Sequence, residues 1–191
     1  MNMRRILSII AIALFTFTVG AFAQQNNHFQ FKGIPIDGSL TDFGSELEKQ
    51  GFVKVANNTY KGKFLRNEAI VALVGDDDNM IWRVAAIMPS IDTWSILESS
   101  YNGYVELYTE KYGKPSKSEK NFLDYTGNGS ALKMIAIDKG ECNYYAIWNL
   151  PQGSIEVRIV KGSDCREGTV RIIYTDKANK EDVRKSDLSE I

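Results

Sequence analysis

EAIVALVGDDDNMIWRVAAIM, Glu68 to Met88, is the stretch on which the fold turns. Glu68–Gly75 holds an unbroken apolar run from Ala69 to Val74, of strand length, as a strand covered on both faces requires. Asp76-Asp77-Asp78-Asn79 then supplies a turn, and Met80–Met88 reads as a second strand. Two strands joined so tightly pair antiparallel. Working upstream, Phe52–Ala56 and Thr59–Arg66 are strands split by Asn57-Asn58. Tyr60, Gly62 and Phe64 alternate there with Lys61, Lys63 and Leu65, the pattern of a sheet with one wet face. These short connections predict a meander.

Helices flank the meander. Pro89 ends it, and Asp92 is placed to cap a helix reaching Tyr112. Trp94, Leu97, Tyr101, Tyr104, Val105, Tyr108 and Tyr112 recur on one stripe of that helix, and Gly113 and Pro115 stop it. Before the meander, Phe29–Lys32 is a short strand and Gly33–Gly38 a turn. Ser39 or Thr41 then caps a helix to about Gln50, with Leu40, Phe43 and Leu47 inward and Gly51 as its stop.

After the long helix come a strand at Asn121–Tyr125, a turn at Gly127-Asn128-Gly129 and a helix from Ser130 to Lys139, with Leu132, Ile135 and Ala136 inward. Strands at Asn143–Leu150, Ile155–Val160 and Thr169–Thr175 follow, and the charged tail from Asp176 is at most a weakly docked helix. The fold class is α+β, an antiparallel sheet covered on one face by helices. The halves 29–112 and 118–188 each read as strand, helix, meander, helix. They are either pseudo-repeats or chance echoes of a Gly-Ser turn.

The first residues have another job. Met1–Arg5 is basic, Ile6–Val19 is nearly all apolar, and Ala21-Phe22-Ala23 is the small-x-small pattern of a cleavage site. The apolar run is shorter than the ~20 residues of a spanning helix. Residues 1–23 are therefore expected to be a signal peptide cleaved after Ala23. The mature domain, 24–191, is expected in the periplasm or secreted, with no transmembrane span.

Phe31-Lys32-Gly33-Ile34-Pro35-Ile36-Asp37-Gly38, the Gly51-Phe52 helix end and Lys111-Tyr112-Gly113-Lys114-Pro115 resemble uncharacterised exported proteins of the Bacteroidetes group. The likeness spans most of the mature chain and brings no activity with it. The helices-over-sheet arrangement is similar to the β-lactamase inhibitor protein and to the TATA-binding-protein-like fold, which carries no function by itself.

The chemistry-bearing residues are few. Cys142 and Cys165 are the only cysteines. In an oxidising compartment they are expected to form a disulfide across the Asn143–Val160 hairpin, two free thiols being the alternative. The only histidine, His28, falls in an expected tail and is poorly placed as a catalytic base. Asp76–Asp78 lacks calcium-loop spacing. The tyrosine stripe reads as core rather than as a sugar platform, and Trp82 and Trp148 as core on strands. Glu68, Glu98, Glu106 and Glu156 offer carboxylates, with no pair singled out.

No catalytic, metal-binding or cofactor-binding residues are assigned, and no cofactor is expected. A formal net charge of −1 with mixed signs argues against nucleic acid. The expected function is an exported, non-catalytic binding or accessory module contacting a protein or cell-envelope partner. Its contact surface would be an exposed sheet face or loops at one end of the meander. The alternative is a carboxylate-dependent enzyme acting on glycan or peptidoglycan.

Overall fold

The hairpin of Glu68–Met88 lies inside a sheet of eight strands, all antiparallel. The computed structural model describes residues 28–123 and 129–189. The signal peptide expected at 1–23, and 127–128 of the expected turn, lie outside them.

The first element among the described residues is a hairpin of two-residue strands. β1 (Gln30–Phe31) pairs with β2 (Ile34–Pro35) through Lys32 and Gly33, both at positive φ, so part of the expected turn is a strand. α1 (Leu40–Lys49) follows, with Ser39 as its cap: the Asp42 amide donates to Ser39 Oγ at 3.0 Å. β3 (Val53–Ala56), β4 (Thr59–Phe64), β5 (Asn67–Gly75) and β6 (Ile81–Ile87) form the first meander.

α2 (Trp94–Tyr112) crosses to the second half; its N-cap position is Thr93 rather than Asp92, and the Thr93 side chain makes no capping bond. That half contains β7 (Lys117–Phe122), α3 (Ser130–Asp138), β8 (Cys142–Leu150), β9 (Gly153–Lys161), β10 (Gly168–Asp176) and α4 (Lys177–Ser189). The strand order is β3-β4-β5-β6-β10-β9-β8-β7, so the two meanders meet at the β6–β10 seam. β7 starts before the expected Asn121, where the Ser116 amide already donates to Ile147 O at 2.7 Å.

Register explains which face is buried. Tyr60, Val71, Ala86, Ile172, Val157 and Ala146 are successive partners across six strands, and all are buried. In the next row, Leu73, Val84, Tyr174, Ile155 and Trp148 do the same. Against this face lie Leu40, Phe43 and Leu47 of α1, Trp94, Leu97, Tyr101 and Tyr108 of α2, and Met134 and Ile137 of α3. The aromatic stripe of α2 is thus core. On α3 the inward residues are Met134, Ala136 and Ile137, and the expected Leu132 is exposed.

Trp82 is not core. β6 carries an irregularity, in which Val74 and Gly75 face Arg83 and Ile81 and leave Trp82 without a partner. Ile81 is fully buried, whereas the half-buried Trp82 ring lies 4.3 Å from the Arg83 guanidinium.

The first and last elements among the described residues are fastened to each other. Asp176 is fully buried and accepts from the Phe29 amide at 2.6 Å and the Asn179 amide at 2.9 Å. Asn179 Nδ2 donates to Ile36 O and Ile81 O, which docks α4 where β10 ends and β6 begins. His28 is not a loose tail residue: its Nδ1 lies 3.3 Å from Asp176 Oδ1 and its Nε2 3.7 Å from Asp37 Oδ2.

The expected Cys142–Cys165 disulfide is not formed in the structure, where both residues are free. Cys142 is buried on β8, on one side of β9. The 162–167 loop turns to the other side, toward β10, and is tied there by Ser163 N to Ser90 Oγ at 3.0 Å. The β8–β9 hairpin is as expected, and the loop that carries Cys165 joins β9 to β10, with β9 standing between β10 and the strand of Cys142.

Candidate functional site

The outer side of α2 and the β4–β5 turn enclose a groove of about 1040 Å³. α2 contributes Ser95, Ile96, Ser99, Ser100, Gly103, Tyr104 and Leu107, and the turn contributes Leu65, Arg66 and Asn67. The local cause is helical spacing. With Trp94, Leu97, Tyr101 and Tyr108 committed to the sheet, Ser95, Ser99 and Gly103 recur every four residues on the other side and form a shallow floor. Leu65 is held at positive φ in the turn and is exposed, as are Ile96 (58%) and Leu107 (44%).

The polar lining of the groove is neutral apart from Arg66. Tyr104 Oη accepts from Asn67 Nδ2 at 2.8 Å, a contact that ties α2 to the turn. Burial raises the Tyr104 pKa, against hydrogen bonds to Asn67 and Ser100 that lower it, so the phenol stays protonated. Among the described lining residues Arg66 is the single charged side chain, and no carboxylate is present. Apolar rims, hydroxyls and one cation suit binding and give no acid–base pair for hydrolysis.

The carboxylates considered from the sequence do not converge. Glu68 pairs with Lys61 at 3.0 Å near one end of the sheet. Glu98 accepts from Tyr144 Oη at 3.2 Å, and exposed Glu106 lies beside Glu110 and Lys120 on another side of α2. Glu156 is on β9, 3.3 Å from Arg158. The acids of 76–79 shape a hairpin turn, with Asp76 Oδ1 accepting from the Met80 amide at 2.7 Å. Among the described residues no group of three or more His, Cys, Asp or Glu is set to hold a metal ion.

Tyr101 and Tyr108 of the α2 stripe are sealed in, whereas Tyr104 reaches the groove. Tyr108 and Tyr174 hydroxyls bond to each other, and burial pushes both phenols far above their ordinary pKa. They serve the core and not a surface site. Among the described residues no helix is long and apolar enough to cross a membrane.

The groove itself had no signature in the sequence. Its floor is the side of α2 left over from the core stripe, and its far wall comes from a turn thirty residues or so upstream in sequence. Compared with family models, curated proteins and solved structures, the chain matches none of them.

Proposed function

We propose that the chain is an exported, non-catalytic binding or accessory module that holds an apolar segment of a protein partner along α2. The observation that carries this reading is the groove itself: large, rimmed by exposed Leu65, Ile96 and Leu107, floored by Ser95, Ser99 and Gly103, and without a carboxylate among its described lining. Small residues in a row on a helix let a second backbone approach closely, and exposed aliphatic side chains on either side supply the apolar contact.

Gly103 gives a direct test, because a side chain there meets open space and not the core. A photo-crosslinking residue at Ser99, introduced in the cells that make the protein, is expected to give a discrete protein adduct. Gly103→Phe should abolish that adduct while leaving the melting transition in place. No adduct at Ser99, or an adduct indifferent to Gly103→Phe, overturns the reading. Turnover of peptidoglycan or glycan that falls on replacing Glu98 or Glu106 would establish the enzymatic alternative.

A further inference from the structure

The sheet face turned away from α1, α2 and α3 carries a concentration of arginine that the protein's overall charge of −1 does not suggest. Register sets it out. Arg171 on β10 and Arg158 on β9 are direct partners, and Arg158 is in turn the partner of Tyr145 on β8. One row along, Ile173 faces Glu156 and Glu156 faces Ile147; beyond that, Arg83 Nε donates to Thr175 Oγ1 at 3.3 Å. Three guanidinium groups therefore share this part of the face with two carboxylates: Glu156, 3.3 Å from Arg158 Nη1, and Glu119, which stands beside Tyr145 on β7 and accepts from its hydroxyl at 2.8 Å.

This arrangement is costly for the isolated chain. Like charges directly opposite each other on neighbouring strands repel. Arg158 Nε and Arg171 Nε are buried and have no hydrogen-bond partner. The Arg171 pKa is lowered first by burial and then by Arg158. Glu119 is engaged by the Tyr145 hydroxyl, and Glu156 alone, in contact with Arg158, cannot neutralise both members of the pair. The site is still open to solvent, since the Arg158 side chain is 39% exposed.

We propose that this face docks an acidic protein partner, whose Asp or Glu side chains pair with Arg158 and Arg171 while its apolar groups rest on Tyr145 and Ile147. Guanidinium forks match carboxylates two bonds at a time, and the half-buried aromatic and aliphatic rim is suited to a protein surface more than to a bare polyanion. Self-association through this face would set arginine against arginine and is disfavoured. The surface is separate from the α2 groove, so the two readings stand or fall independently.

The test uses the whole exported protein with arginine Nε–Hε signals followed by NMR. The probes are a synthetic peptide alternating Glu and Leu, its Gln-for-Glu counterpart, and vesicles of zwitterionic lipid doped with anionic phospholipid. The acidic peptide is expected to shift the Arg158 and Arg171 signals, and the Gln peptide to bind at least about tenfold more weakly. Arg158→Gln with Arg171→Gln should remove the difference between the peptides, and Arg158→Lys should weaken acidic binding through loss of the fork. Gly103→Phe should leave it unchanged. The double variant should melt no lower than the parent, because it removes a like-charge pair. Equal binding of both peptides, acidic binding that survives the double variant, no shift with any probe, or shifts produced by vesicles alone each overturn the proposal.

Discussion

Gly103 and Gly153 put opposite demands on a methyl group. At Gly103, on the outer side of α2, a Cβ meets nothing within 4 Å. Gly103→Ala should raise stability by about 0.5–1 kcal/mol through helix propensity alone. At Gly153, where β9 begins beside the end of β10, a Cβ would fall on the Thr175 carbonyl oxygen and press on Phe29. Gly153→Ala should cost roughly 1–3 kcal/mol, since backbone cannot step aside as a side chain can. Paired denaturant melts check both signs at once. The cysteines differ just as sharply. Burial pushes the Cys142 thiol up to about 11, so it stays protonated and shielded, while Cys165 is exposed. Iodoacetamide on the native protein is expected to label Cys165 alone, with Cys142 following only in denaturant. Mass spectrometry of the labelled peptides decides it; a linked peptide containing both residues would contradict the free thiols.

Among the elements, α2 carries the most packing. Leu97 is fully buried against the sheet, where a Cβ on Gly168 would collide with its side chain. Leu97→Ala should therefore cost about 2–5 kcal/mol in a denaturant melt, and a loss well below that would mean the helix settles into the space. α2, β5 and β6 were legible in the sequence because their apolar residues repeat at the period of the element or run unbroken. β7 was misplaced because Lys117–Phe122 is an edge strand with mostly exposed side chains, which leaves little apolar pattern to read. β2 was hidden in a turn because a two-residue strand has no period at all. Trp82 was misread because one irregularity shifts the parity of β6. The alternation of Glu156 and Arg158 with Ile155, Val157 and Ile159 was visible as a wet face. That Arg158 stands opposite Arg171 is a matter of strand register, which the chain records nowhere locally.

At the scale of the whole molecule, Asp176 is the clasp between the N-terminal hairpin, the last strand and α4. Asp176→Ala strips the buried Phe29 and Asn179 amides of their acceptor, at about 1–3 kcal/mol for each unsatisfied group. Hydrogen exchange should show residues 28–36 and 177–189 losing protection together; loss confined to α4 would mean the N-terminal hairpin is held by its apolar contacts alone. The seam between the meanders has a temporal consequence. β6 pairs with β5 across a short turn, yet its other edge waits for residues 171–175, near the end of the chain. Until β10 exists, Ile81–Ile87 presents an unpaired, strongly apolar border, the kind of strand that recruits copies of itself. Long-range pairing of this sort is slow relative to a local hairpin. A chain interrupted before Gly168 therefore fails as an aggregating half, and the lifetime of that open border, set by how soon β10 arrives, governs how much of the protein reaches its folded state.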